Sequence, residues 1–590
     1  MNTNNQNIFT DKINIFFIFK YLNKKNTLYY IEKNLLSKII NFFFKKKIIQ
    51  LKWKLYNENV NGINIFTKIF EEKLVDKFVL KFLEKKVNLN PSFLKLNNID
   101  KKYFKDFLIL TFTTNKNLIN SFSIFNFLIF LDVINKNFEK NNIVFLKQNI
   151  FSSFLKEEYS TDKINFEFNK KIINLNIFNF IRFVLSRLKY LLIFTNQNLN
   201  SKKVCVMDSY QINEPNVFFN DNELYKNMIF ISLNNNPYSA ENIFKSVNIN
   251  VLYKFLKYLR VNYILFKQCK NLFYLFNNYT LDKIIFKNFF ENRNIKIFLT
   301  SFCSQNFTAS AVAAISELNG KSIGFAMSLS YTYKLDLGVD LFDYFFNFSK
   351  IDSSNIQYNT KILNYGYLGD YKFENIKNDS LELRKKLQKN GAKFIIGFFD
   401  QGSVIDRQFQ FGHEIFREGY NFLIKKVIEN PELGLIIKPK KPKFLKEKLG
   451  PVYALLERAK LTNRCIVFDN YDPNHVKNFI DIPAKIARAS DLTIHDHMVS
   501  GTAGLESALV GTKSILFDYF KTYKKNIYKK NANIVFTDWN ILWDQINLEI
   551  LNKETYDFGN WEQIIDNFDR YRDGKSNVRV MNFIKKLVKD

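Results

Sequence analysis

Short apolar runs recur from Gly391 onward, at Phe394–Phe399, Leu435–Ile437, Cys465–Phe468, Leu492–Ile494, Ser514–Phe517 and Asn533–Phe536. Uninterrupted runs of this kind suit strands buried within a parallel sheet. Between them, Gly412–Ile428, Lys446–Lys460 and Pro483–Ala489 place apolar residues three or four apart, the helical period. Strand, helix, strand alternation predicts right-handed crossovers and a doubly wound parallel sheet, which binds ligands beyond the carboxyl ends of its strands.

A second set of strand-like runs lies upstream, at Val204–Met207, Met228–Ser232, Ile295–Leu299 and Ser322–Phe325, with helical patterns at Val251–Leu259 and Ser310–Leu318. These predict a second Rossmann-like sheet. Before Lys202 almost every segment is built from Phe, Ile, Asn and Lys, and the period fades; Ile63–Lys86 and Ile177–Phe194 read as basic helices. A chain of 590 residues exceeds one core. The expected organisation is a mostly helical N-terminal region (1–200), a Rossmann-like domain (201–375), a nucleotide-binding Rossmann-like domain (376–560) and a C-terminal helix (561–590) crossing back to the first. The polar stretch Lys372–Glu382 is the expected join.

Ser490–Asp518 is the segment richest in candidate chemistry. The strand Leu492–Ile494 leads into Ser500-Gly501-Thr502, which begins a helix, and a further strand follows at Ser514–Phe517. A helix N-terminus offers unpaired N–H groups and the positive end of a dipole, and small residues let a phosphate approach. Ser500, Gly501, Thr502 and Gly504 are therefore the expected diphosphate cradle. Glu506, one turn inside the helix, is placed to accept the hydroxyls of a ribose or sugar. Lys438 follows a buried strand in LIIKPKKP, and Pro439 stops the chain from continuing as a helix; Lys438 can neutralise a diphosphate.

All four histidines, His413, His475, His495 and His497, fall in the C-terminal part. His495 and His497 precede the cradle. An H-x-H pair can ligate zinc, yet no further ligand stands at a recognisable spacing, so imidazoles beside the diphosphate or leaving group are the preferred reading. His413 opens the helix after the first strand, where the loop Asp400–Ser403 also borders the ligand edge. Upstream, Asp336, Asp340 and Asp343 follow the strand of GKSIGFAMSLSYTY; one of these acids can serve as general base toward an acceptor hydroxyl, and the sequence does not choose between them.

Composition modifies this picture little. Phe, Ile, Lys and Asn dominate as an AT-rich genome would dictate, which weakens the inference from a net charge of +30 to nucleic-acid binding. Residues 391–590 carry about +6 of that charge, so about +24 sits upstream, where a basic face can meet anionic lipid or an anionic acceptor. The four cysteines lack metal or redox spacing, and MNTNNQNIFTDK has no signal-peptide pattern, so a cytoplasmic setting is expected, with contact at the inner membrane face. The most apolar stretch, Leu118–Ile134, is interrupted by polar residues and falls short of a span.

With these parts in place, the C-terminal half resembles the donor-binding domain of GT-B glycosyltransferases, in particular bacterial enzymes of capsule and surface-polysaccharide biosynthesis. The resemblance rests on IIKPK (436–440), ASDLTIHD (489–496), SGTAGLESALVGTKSILFD (500–518) and RDGKSNVRVMNFI (572–584). Upstream, AAISELNGKSIGFAMSLSY and NYGYLGDY (364–371) match the stretch before the interdomain linker. The resemblance implies two facing Rossmann-like domains, a nucleotide-diphosphate sugar as donor, a glycan or lipid-linked acceptor on the first domain, and no obligatory metal or bound cofactor. It would set Ser500, Gly501 and Thr502 at the diphosphate, Glu506 at the donor hydroxyls and Lys438 near the phosphates. Lys440 stands where many relatives carry histidine. A CDP-alditol phosphotransferase and a nucleotide-sugar epimerase share the fold and are rival readings; a basic, non-enzymatic membrane or nucleic-acid binder is the rival of another class.

Overall fold

The computed structural model describes residues 6–12, 20–21, 26–32, 48–50, 74–88, 91–114, 124–138, 142–147, 151–169, 202–207, 215–232, 241–242, 249–266, 270–301, 306–326, 341–348, 360–400, 413–469, 482–497, 501–519, 528, 532–552 and 557–589. Contacts divide the chain into two compact units. One comprises Met1–Gln197, Ile243–Phe289 and Ser304–Glu317; the other comprises Asn198–Asn242, Phe290–Cys303 and Leu318–Asp590.

The first unit holds a parallel sheet of β1 (Asn7–Lys12), β2 (Thr27–Glu32), β3 (Ile48–Gln50), β4 (Asn142–Lys147) and β5 (Ile164–Asn169), in the order β3-β2-β1-β4-β5. In a region expected to be mostly helical, the structure thus adds a parallel sheet. Its core includes Ile8, Leu28, Tyr30, Ile48 and Phe145. The helices Asn98–Thr114 and Asn306–Glu317 lie against each other, and the second packs through small residues from Thr308 to Ala314 that allow close approach. A buried ionic knot joins this unit's helices: Lys283 donates to Asp100 at 2.6 Å and to Glu317 at 2.8 Å, and Tyr279 donates to Asp100 at 2.9 Å.

The second unit contains two parallel sheets. The larger is built from β6 (Val204–Met207), β7 (Met228–Ser232), β8 (Glu241–Asn242), β9 (Ile297–Thr300), β10 (Lys321–Phe325), β11 (Tyr344–Asn347) and β12 (Lys361–Asn364), ordered β12-β11-β10-β9-β6-β7-β8. The other has β13 (Phe394–Phe399), β14 (Leu433–Lys438), β15 (Cys465–Val467), β16 (Leu492–His495), β17 (Lys513–Phe517) and β18 (Val535–Phe536), ordered β15-β14-β13-β16-β17-β18. From β13 the chain winds outward through β14 and β15, then returns to β16 on the other side. The α/β, doubly wound class read from the sequence is thus the class adopted.

Packing explains where the elements end. On one face of the smaller sheet, Phe398, Leu435, Ile437, Ile494 and Phe517 meet Tyr420, Leu423 and Ile424 of the helix His413–Glu429. On the other, Ile395, Phe399 and Ile436 meet Leu387, Ile486 and Ala489. The expected helix Lys446–Lys460 is divided into Leu445–Leu449 and Tyr453–Lys460, because Gly450 at φ 53° and Pro451 break it. The stretch expected as a polar join is instead helical from Lys377 to Lys389, and its buried face is formed by Ser380 and Leu387. The C-terminal helix Ser576–Lys589 inserts Val580, Met581 and Ile584 into the core that also holds Val204, Ile297 and Ile323 of the larger sheet. Among the described residues no helix is long and apolar enough to cross a membrane.

Candidate functional site

The six-stranded sheet reverses its strand order between β13 and β16, and the carboxyl ends of these strands are where an open α/β sheet leaves a crevice. Register puts the sequence-derived candidates on one row of this edge. Phe399 is paired with Lys438 on one side and with His495 on the other, and His495 in turn with Leu516. The chain then returns to the edge at Gly501, which precedes the helix Thr502–Leu509. Lys438, His495, Gly501 and Thr502 thus converge from separate parts of the sequence on one side of the sheet.

Three adjacent strands end on aspartate: β13 on Asp400, β16 on Asp496 and β17 on Asp518, all buried. Asp400 forms a fully buried ion pair with Lys448, accepts from the Tyr420 hydroxyl at 2.6 Å, and accepts from the Lys440 amide at 2.5 Å. The chain after β14 is therefore fastened to the end of β13. Asp496 accepts from the Tyr519 hydroxyl at 2.5 Å, and its Oδ2 has no hydrogen-bond partner among the described residues. Burial, reinforced by the charge of Asp400, raises its carboxyl well above the ordinary range and so favours the protonated form. Gly419 makes this possible sterically, since a Cβ there would stand 3.1 Å from Asp496 Oδ1 and 2.6 Å from Trp539.

The histidines gather beside these acids. His495 and His497 are buried, and desolvation pushes each down to about 3, with Lys440 adding to the effect. Both are neutral imidazoles at physiological pH. Nδ1 of His495 has no hydrogen-bond partner among the described residues. His497 packs 6.0 Å from the ring of Phe416, and His413, on the same helix as Phe416, has its Nε2 3.9 Å from Glu447. Burial and the neighbouring Lys448 lower His413 as well. Neutral imidazoles can donate hydrogen bonds to an anion without bringing a fixed charge of their own.

Glu506 is more occupied than its sequence position suggests. Its carboxyl accepts from the Tyr367 hydroxyl at 2.6 Å and from the Ala484 amide at 3.2 Å; burial raises it, with Lys438 among the groups opposing the rise. Tyr367 lies in NYGYLGDY, so that segment is tied to the helix carrying Glu506. The same segment is fastened to the C-terminal helices: the Tyr367 amide donates to Asp569 at 2.9 Å, Ser576 donates to Asp370, and Arg579 donates to the Tyr365 carbonyl at 3.0 Å. Gly504 has a packing role rather than a place in the cradle. A Cβ on it would meet Leu516 at 2.7 Å and Ser514 at 3.2 Å, so its bareness lets the helix settle on β17.

Of the remaining candidates, Asp336, Asp340 and Ser500 lie outside the described residues, as do His475 and the loop after Asp400. Asp343 instead binds the Ser322 amide and hydroxyl, both at 2.8 Å, between β10 and β11. The pairing of Asp400 with Lys448 joins residues that no local motif links. Its trace in the sequence is the recurrence of an aspartate immediately after a buried strand, in FIIGFFD, LTIHD and SILFD.

No protein-family model matches the chain, and no curated protein matches it significantly. Solved structures similar to it include the wall teichoic acid polymerase TagF soaked with CDPG, at 11% identity and TM-score 0.39, covering 70% of this chain and 97% of that one. A putative UDP-N-acetylglucosamine 2-epimerase from Listeria monocytogenes shows 13% identity and TM-score 0.41, covering 66% and 96%. The UDP-GlcNAc 2-epimerase of Methanocaldococcus jannaschii, in complex with UDP-GlcNAc and UDP, shows 14% identity and TM-score 0.40, covering 65% and 99%.

Proposed function

We propose that the chain is a GT-B glycosyltransferase that holds a nucleotide-diphosphate sugar at the carboxyl edge of the six-stranded sheet and passes the sugar to a surface-polysaccharide or lipid-linked acceptor. The observation that supports it is the convergence of Lys438, His495 and the Gly501–Thr502 helix start at a strand-order reversal. A cation, neutral donors and the positive end of a helix dipole are what a leaving diphosphate needs. In this reading an acceptor hydroxyl oxygen bonds to the anomeric carbon as the carbon–oxygen bond to the diphosphate breaks. The hydroxyl proton passes to a base, for which Asp336 and Asp340 are the candidates, and His413 borders the same edge. No bound metal is invoked.

One observation favours a second reading. An epimerase should need acids and histidines gathered at the sugar, and Asp400, Asp496, His413, His495 and His497 are buried at neighbouring positions of this edge. Incubation with UDP-, CDP- and GDP-linked sugars separates the two. A transferase releases nucleoside diphosphate in proportion to an added acceptor, whereas an epimerase alters the sugar with no acceptor present. Thermal unfolding with each free nucleotide tests the site itself, since a ligand at about 100 times its Kd adds about 2.7 kcal/mol. Both readings fall if no nucleotide shifts the midpoint, or if Lys438→Gln leaves every shift unchanged.

A further inference from the structure

The helix Ile249–Phe266 exposes large apolar side chains among its described residues. On a helix that covers a core, the apolar stripe faces inward and the polar residues face water. Here Tyr253 is 71% exposed, Leu256 52%, Tyr258 45% and Val261 47%, while Asn262 is buried. Asn262 is held there by donating to Asn277 Oδ1 at 2.9 Å, and Asn277 donates back along its own helix to the Phe273 carbonyl at 2.8 Å. Phe255 supplies a buried apolar contact on this helix. The helix is therefore anchored by one face, and its opposite face presents large apolar and aromatic side chains to solvent.

The charges on the helix say what covers that face. The segment INVLYKFLKYLRVNYILF contains Lys254, Lys257 and Arg260 and no acidic residue. Lys254 and Lys257 are exposed among the exposed tyrosines and Leu256. Amphipathic side chains of this mixture suit the boundary between lipid headgroups and acyl chains, where tyrosine sits with its ring in the apolar layer and lysine reaches the phosphates. Basic residues spaced three apart through the middle of the helix, at 254, 257 and 260, fit a helix lying on the bilayer rather than crossing it. The surrounding sequence has the same sign, since residues 1–390 carry about +24. We propose that the exposed face of Ile249–Phe266 docks this protein on an anionic lipid bilayer. This inference does not depend on the donor-site reading. It adds a place where the protein works, at a surface from which a lipid-linked acceptor can be reached.

The test is flotation of the full chain with vesicles of phosphatidylcholine alone and of phosphatidylcholine mixed with phosphatidylglycerol. Binding is expected to the mixed vesicles and to weaken with salt. Each lysine removed should cost about fivefold in partitioning, so Lys254→Gln with Lys257→Gln should cost about 30-fold. Tyr253→Ser with Leu256→Ser should cost at least about tenfold through lost apolar burial. All four positions are exposed, so unchanged thermal midpoints are expected and show that folding is intact. Three results would overturn the proposal: no vesicle binding, binding that ignores the Tyr253 and Leu256 changes, or a loss of self-association in place of vesicle binding when those two are replaced. The last would identify a second copy of the chain as the occupant.

Discussion

Replacing Asp370 by asparagine should make the stability of this protein less sensitive to pH in a defined window. Asp370 is buried, accepts from the Ser576 hydroxyl, and leaves Oδ2 without a hydrogen-bond partner among the described residues. Desolvation is the main reason its carboxyl rises from 3.8 to about 7, and the neighbouring charge of Asp569 adds to it. The folded state therefore keeps this proton up to about pH 7, whereas the unfolded chain releases it near pH 3.8. Between those values the folded state binds more protons, so this group's contribution to stability is fully present below the window and is lost as pH rises through it. A shift of this size corresponds to about 4 kcal/mol at pH 8. Asparagine keeps an oxygen for Ser576 but brings an amide into a space without an acceptor, at a cost of about 1–3 kcal/mol. The net expectation is a variant slightly less stable than wild type at pH 4.5 and more stable by about 1–3 kcal/mol at pH 8. Thermal or urea unfolding of both proteins across pH 4 to 8 measures it, and taking the difference between them cancels the titrations they share. A difference that stays constant over that range would refute the reasoning.

Further expectations follow from the same site. Lys448→Met leaves the Asp400 carboxylate uncompensated in the interior and should cost about 3–5 kcal/mol by urea unfolding, with much of the loss recovered by adding Asp400→Asn. Gly504→Ala pushes a methyl group into Leu516 and should destabilise by about 1–3 kcal/mol, measured in the same way. Tyr367→Phe removes a hydrogen bond to the buried Glu506 carboxyl and should cost about 1–3 kcal/mol; equal stability to wild type would show that the bond does not hold this segment. His495 is pushed down to about 3, so the unfolded state takes up a proton near pH 6.5 that the folded state refuses, and acid removes stability below that point at about 1.4 kcal/mol per pH unit. His495→Gln should flatten the acid limb accordingly, and an unchanged limb would contradict the assignment.

Sequence alone located ten of the thirteen strands of the second unit to within about two residues, whereas β8, β11 and β12 of the larger sheet were not read from it. Phe394–Phe399 is reproduced as β13 and Val204–Met207 as β6, because a strand buried on both faces must be apolar throughout and so stands out from its surroundings. The segments carrying the candidate site were legible for a related reason: polar and small residues directly after such a strand have few structural explanations. In the N-terminal region the same signal was lost. The strand β1 (NIFTDK) uses the same Phe, Ile, Asn and Lys vocabulary as its surroundings, and β2 (TLYYIE) is a run of six residues between Lys- and Asn-rich stretches, so no contrast of period separates them.

Tertiary structure decided the contacts between distant residues and therefore the electrostatics. Nothing local announces that Lys448 returns to Asp400, that Tyr367 reaches Glu506, or that Asp496 is covered by Tyr519 and the bare surface of Gly419. Each pairing depends on which strands are neighbours and on how helices settle over them. Whether a carboxyl or an imidazole is charged depends in turn on how much water that packing leaves beside it. The sequence supplied the groups, and burial set their protonation.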